Sequence, residues 1–233
     1  MQHAVEYGPS FAWLRVQLGP GESIEAEAGA MVTMTPGIEM TTALNAGNKS
    51  GFFGKVMAFF VALMRKVFGG ETMFVNTFTA PGQGGEVVLA PGLSGPIWHK
   101  RMTSGDRSLL VQAGSYLASS GQLETKMRWA GLRGLFGGEG LFFLESSGQG
   151  DLFINSYGGI HEIDVDGTYI VDTGHIVAFD SSLDFKIKGV SGGLKSLLFS
   201  GEGLVCEFSG RGKLYIQSRN LGALVGWISP FLR

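Results

Sequence analysis

One cysteine, Cys206, among 233 residues excludes an intramolecular disulfide, a Cys-x-x-Cys redox pair and a cysteine-based zinc cluster. Charge is scarce too. Charged residues make up 16% of the chain, against about 25% in ordinary globular domains. Lys and Arg number 18 against 20 Asp and Glu, with no run of five like charges, so the basic footprint of a nucleic-acid binder is missing. The start, Met1-Gln2-His3-Ala4-Val5-Glu6-Tyr7, has neither a basic n-region nor an apolar h-region; no cleaved signal peptide is expected, and the expected address is cytoplasmic. What abounds is glycine, 38 residues, about twice its usual share. With 44% hydrophobic residues and a mean hydropathy of +0.19, this composition suggests many short strands joined by turns. A chain of this length buries a core without staples.

Internal repetition organises the rest. A Gly-turn, a glutamate and an apolar strand recur at Phe68-Gly69-Gly70-Glu71, Phe136-Gly137-Gly138-Glu139 and Phe199-Ser200-Gly201-Glu202. Downstream, Gly85-Glu86-Val87-Val88, Gly150-Asp151-Leu152-Phe153 and Gly212-Lys213-Leu214-Tyr215 keep the register. Upstream, Glu27-Ala28-Gly29-Ala30, Gln112-Ala113-Gly114-Ser115 and Asp172-Thr173-Gly174-His175 correspond. Period-two stretches such as Leu183-Asp184-Phe185-Lys186-Ile187-Lys188 mark half-buried strands. Three β units, about 10–95, 96–160 and 161–220, are expected to share one core as a single domain with pseudo-threefold symmetry. The first unit carries an insertion.

These triplicated turns, with Phe78-Thr79-Ala80-Pro81-Gly82, Leu89-Ala90-Pro91-Gly92 and Ala28-Gly29-Ala30-Met31, resemble the AIM24 family over essentially the whole chain. The resemblance implies an all-β fold of three double-stranded β-helix units, similar to the tryptophan-activated RNA-binding attenuation protein. It implies little about activity. Eukaryotic relatives are linked to organisation of the mitochondrial inner membrane, and the Arg-rich presequence of such a member is not seen here.

Within the insertion the period changes from two to helical. Phe52, Val56, Phe59, Phe60, Leu63 and Val67 fall on one helix face. The uninterrupted apolar run is only Val56 to Met64, far short of the ~20 residues needed to span a bilayer. Such a helix is expected either to be buried in the protein or a subunit contact, or to lie in a membrane surface beside Lys55, Arg65 and Lys66. Shorter apolar counterparts, with Leu132 and Leu135 in the second unit and Leu194 and Leu197 in the third, would complete one patch if the three cluster about the pseudo-threefold axis.

Chemistry is sparse. Glu71, Glu139 and Glu202 occupy equivalent positions, where symmetry could gather three carboxylates or where each simply accepts backbone N–H bonds at its own turn. The histidines, His3, His99, His161 and His175, include no His-x-His pair, so no metal site is expected. Neither a G-x-S-x-G elbow nor a phosphate-binding glycine loop occurs, and Cys206 reads as a core thiol. Locally basic His99-Lys100-Arg101 and Lys126-Met127-Arg128 read as solvated strand ends, so nucleic acid is not expected as a partner. The sequence therefore points to a non-catalytic β scaffold without a cofactor, which self-associates or binds protein partners through the apolar helix and repeat edges. The alternative is a peripheral membrane protein docking through the Phe52–Phe68 helix.

Overall fold

A computed structural model describes residues 1–44, 74–129, 142–189 and 204–232. The described chain is mainly β. After an N-terminal strand β1 (Gln2–Glu6), the first unit comprises β2 (Trp13–Leu18), β3 (Ser23–Glu27), β4 (Met31–Met34), β5 (Glu39–Leu44), β6 (Phe74–Thr79) and β7 (Gly85–Leu89). The second comprises β8 (Ile97–Met102), β9 (Leu109–Gln112), β10 (Tyr116–Ser120), β11 (Gln122–Trp129) and the long β12 (Phe142–Asn155). The third comprises β13 (Ile160–Asp172), β14 (Ile176–Asp180), β15 (Leu183–Gly189) and the long β16 (Leu204–Gln217). A helix, α1 (Leu221–Ile228), follows.

One pairing scheme recurs. In the second unit β12 pairs antiparallel with β8, β9, β10 and β11. In the third, β16 pairs in the same way with β13, β14 and β15, the long β13 doing the work of two strands. In the first, β6 and β7 divide the role, β7 taking β2 and β4 while β6 takes β3 and β5. Alternation makes these strands two-faced: Leu14, Val16 and Leu18 on β2 and Leu109 and Val111 on β9 point inward between less buried neighbours. The repeated glycine ahead of each charged position has a steric reason. A Cβ on Gly150 would stand 1.8 Å from the Ser120 carbonyl oxygen, and on Gly85 2.8 Å from Thr35 Oγ1.

The units join through seams. β10 of the second unit pairs with β3 of the first, Ala118 opposite Ala26. β14 of the third pairs with β9 of the second, Ala178 opposite Val111. The core follows. One cluster holds Leu14, Val16, Ile24, Phe78 and Val87 with Leu117 and Phe153 from the second unit. The next sets Leu109, Val111 and Leu144 against Val177 and Tyr215 from the third. The last gathers Phe179, Phe208, Leu214 and Cys206 around Phe143. Threefold closure would need one more seam, joining β4 to the second half of β13; among the described residues no such pairing is present.

Candidate functional site

The residues singled out from the sequence fall largely elsewhere. Glu71, Glu139, Glu202 and the apolar residues Phe52, Val56, Phe59, Phe60, Leu63, Val67, Leu132, Leu135, Leu194 and Leu197 lie outside the described residues. Cys206 is fully buried in the third cluster, where burial pushes its thiol up to about 12. His175 sits on a short 3-10 turn with Nδ1 2.7 Å from the Gln217 carbonyl oxygen, while His161 stands exposed opposite Ile216.

The seams show how the units recognise each other. β4, β10 and β14 carry the same β-bulge, between Met31 and Thr33, Tyr116 and Ala118, and Ile176 and Ala178. The bulge aligns the three strands residue for residue: Val32 matches Leu117 and Val177. A bulged residue is re-aimed out of the ladder's regular alternation. Leu117 and Val177 are each 0% exposed and insert into the core cluster of the preceding unit. Val32, with no described unit before it, is 45% exposed, and Met31 and Met34 are each 40% exposed. The complementary edge is open at the other end. β3 and β9 are covered by β10 and β14, whereas their equivalent, the second half of β13, leaves Tyr169 41% and Ile170 58% exposed. A strand edge with apolar side chains and unpaired backbone groups is a template for another strand.

A second repeated feature is electrostatic. Glu86, Asp151 and Lys213 follow the equivalent glycines, and each is met by side chains two residues apart on the facing strand. Glu86 accepts from Arg15 and Gln17, Asp151 from His99 and Arg101, and Lys213 donates to Glu162 and Asp164. The sign is inverted in the third unit, so the geometry repeats and the charge does not. In the second unit β1 adds His3, whose ring lies 4.3 Å from that of His99 and 4.9 Å from that of Phe153. His3, His99 and Asp151 present three ligand-type atoms within 4.8 Å of one another. Arg101 Nη1, however, sits 2.6 Å from Asp151 Oδ2 and already neutralises the carboxylate, so the cluster reads as an ion-pair clip holding β8 to β12, against which the His3 ring of β1 packs. Burial alone would raise the Asp151 carboxyl, but the hydrogen bond from His99 and the charge of Arg101 hold it below its ordinary value. Burial and the neighbouring His99 lower the His3 ring. No spacing along the chain signals that these histidines meet; the repeat alignment of Asp151 with Glu86 and Lys213 is what signals a paired charge there.

The third feature is α1, Leu221-Gly222-Ala223-Leu224-Val225-Gly226-Trp227-Ile228. The Asn220 side chain accepts from the Ala223 N–H and caps its start. No residue of the helix is buried; Trp227 is 67% exposed, and Phe231 and Leu232 beyond it are 72% and 75% exposed. The N-cap followed by an apolar run marks this helix in the sequence, but the repeat reading ends at residue 220 and passes over it. Among the described residues no helix is long and apolar enough to cross a membrane.

Comparison with known proteins gives a consistent result. The family model described as mitochondrial biogenesis AIM24 matches residues 4–219. An uncharacterized protein of Streptococcus pyogenes serotype M6 is 33% identical over 100% of this chain and 91% of its own length. A crystal structure of a Streptococcus pyogenes protein superposes with a TM-score of 0.79 at 31% identity, covering 99% of both chains.

Proposed function

From the premise that the chain belongs to the AIM24 family, we propose that it is a non-catalytic β scaffold that self-associates or binds protein partners through its repeat edges. Its units are read as double-stranded β-helix modules in series, similar to the attenuation-protein fold, with the series unfinished at both ends. One observation carries this reading: the two surfaces that join unit to unit inside the chain, the bulged strand and its receiving edge, are both present and both open at the two ends. Burying one side chain such as Val32 is worth roughly 1.5–3 kcal/mol, so several such contacts together offset the ordering cost of association. The test is light scattering over a concentration series. Wild type is expected to run heavier than 24.8 kDa and Val32→Asp to return to the monomer mass; wild type at monomer mass throughout, with no protein captured from its native extract, refutes the reading.

A second reading, docking on a membrane surface, is supported by α1 with its exposed Trp227 and by Phe231 and Leu232 beyond it, since exposed Trp, Phe and Leu on one short segment favour the lipid interface. Flotation with anionic and neutral vesicles tests it. Wild type should float and Trp227→Glu/Phe231→Glu should not; wild type left at the bottom with both vesicles sinks this reading. Docking through Phe52–Phe68, which lie outside the described residues, is tested in the same assay by Phe59→Glu/Phe60→Glu.

A further inference from the structure

We propose that the open ends pair with each other between copies: β4 of one chain lies antiparallel on the second half of β13 of another, with Thr33 opposite Val171, Met34 opposite Ile170 and Thr35 opposite Tyr169. The proposal rests on the self-association reading and gives it a partner, a register and a polarity.

The register follows from the two seams inside the chain. In the first, Ala118, Ser119 and Ser120 face Ala26, Glu25 and Ile24; in the second, Ala178, Phe179 and Asp180 face Val111, Leu110 and Leu109. The shared bulge makes Thr33, Met34 and Thr35 the first unit's counterparts of Ala118, Ser119 and Ser120. On the receiving side, Ala26 stands opposite Asn76, Val111 opposite Leu144 and Val171 opposite Cys206, equivalent positions of the three long pairings. Val171, Ile170 and Tyr169 are therefore the counterparts of Ala26, Glu25 and Ile24.

The exposure pattern identifies the occupant as a second copy. At both internal seams the strand that arrives is buried along its length, β10 completely and β14 all but its last residue, whereas β4 is exposed throughout. The bulge residue is the knob of each seam. Leu117 packs into the first unit's cluster and Val177 into the second's, so the counterpart for Val32 is the third unit's cluster, which holds Phe143, Val165 and Val171. Among the described residues that cluster contains none from the first unit, and the first cluster none from the third. Among the described residues of one chain, knob and receiving edge are both left over; each copy carries one of each. The contact is heterologous, so it repeats from copy to copy and produces a ring if it closes or a filament if it does not.

The experiment mixes two full-length chains of distinguishable mass, one Met34→Cys and the other Ile170→Cys, under mild oxidation. Both positions are exposed, and native Cys206 is buried and does not compete. A disulfide needs Cα atoms within about 7 Å, so its formation reports the register. The expected product is a dimer holding one chain of each mass; the mis-registered mixture of Met34→Cys with Thr168→Cys stays unlinked, and Val32→Asp added to the first chain abolishes linkage. Thr35→Cys with Tyr169→Cys reads the same register independently. The Met34→Cys/Ile170→Cys double variant is expected to form a ladder of linked chains. A disulfide formed only within one chain overturns the proposal, because it means that the third seam closes internally. Absence of any disulfide in either register pair also overturns it. If wild type then still scatters as more than a monomer, self-association stands and uses another surface; if it scatters as a monomer, both fail.

Discussion

Leu117 and Val32 occupy the same bulge of the same strand in two consecutive units, yet one is fully buried and the other 45% exposed. Nothing local distinguishes them: both are branched aliphatics, both sit one residue before a residue paired with the neighbouring strand, and both follow a glycine-bearing turn. The difference is the neighbour. Leu117 has a preceding unit to enter and Val32 does not, which teaches that a repeat carries its own docking surface as part of its fold and that the ends of a short series present that surface to solvent. Repeat proteins ordinarily cap such ends with polar residues; here Met31, Val32, Met34, Tyr169 and Ile170 are left in that place.

The comparison breaks most sharply under a common substitution. Leu117→Asp places an unpaired charge inside the first cluster and is expected to cost more than about 4 kcal/mol, or to prevent folding. Val32→Asp, at the equivalent open position, should leave the stability of the monomer within about 0.5 kcal/mol. Chemical denaturation of both variants at low concentration checks this. Similar losses in the two would show that Val32 is packed within its own chain.

The repeated charge position gives a smaller contrast. Asp151 has a side chain only 8% exposed and accepts from His99 and Arg101, so Asp151→Asn should cost about 1–3 kcal/mol. Glu86, more exposed beside Arg15, should cost under ~1 kcal/mol as Glu86→Gln. Equal effects in urea titration would deny burial its role.

Acid should act on the same clip before it acts on the seams. The Asp151 carboxyl is held low in the folded protein, so its contribution is complete above the ordinary carboxylate range and is lost as pH falls through the lowered value. His3 is likewise lowered from 6.5; the unfolded chain takes up that proton first, so stability declines as pH falls below about 6.5. His3→Gln should flatten the stability profile between neutrality and mild acid, measured by thermal melting in a pH series; an unchanged slope would remove His3 from the clip. The smallest effect on folding belongs to α1: Trp227→Glu should shift stability by no more than about 0.5 kcal/mol while abolishing vesicle flotation.

Much of the fold was legible because glycine repeats where sterics demand it. Gly85, Gly150 and Gly212 each mark a close approach at the same place in the repeat, and alternation in Leu183 to Lys188 marks a strand that is indeed β15. The bulged strands were legible only as glycine-led motifs, since a bulge breaks the period-two signal that announces a strand. The open seam was not legible at all. Val32 and Leu117 look alike in sequence, and which of them is covered depends on the order of units in space. The His3–His99–Asp151 clip was hidden for a related reason: β1, β8 and β12 bring its members together across the junction of two units, and no spacing along the chain encodes that meeting. The glutamates and the insertion helix, on which the sequence reading placed its site, lie outside the described residues, and the surfaces that the structure offers instead came from strand edges and a C-terminal helix.

Amide hydrogen exchange followed as protein concentration is raised decides whether the open edges pair between copies, because it reads pairing at the strands themselves. Residues 116–120 and 176–180 are expected to be protected at every concentration, while residues 31–34 and 168–171 exchange quickly when dilute and gain protection together as copies meet. Protection of residues 31–34 already complete at the lowest concentration, or fast exchange there unchanged at the highest, would contradict pairing between copies.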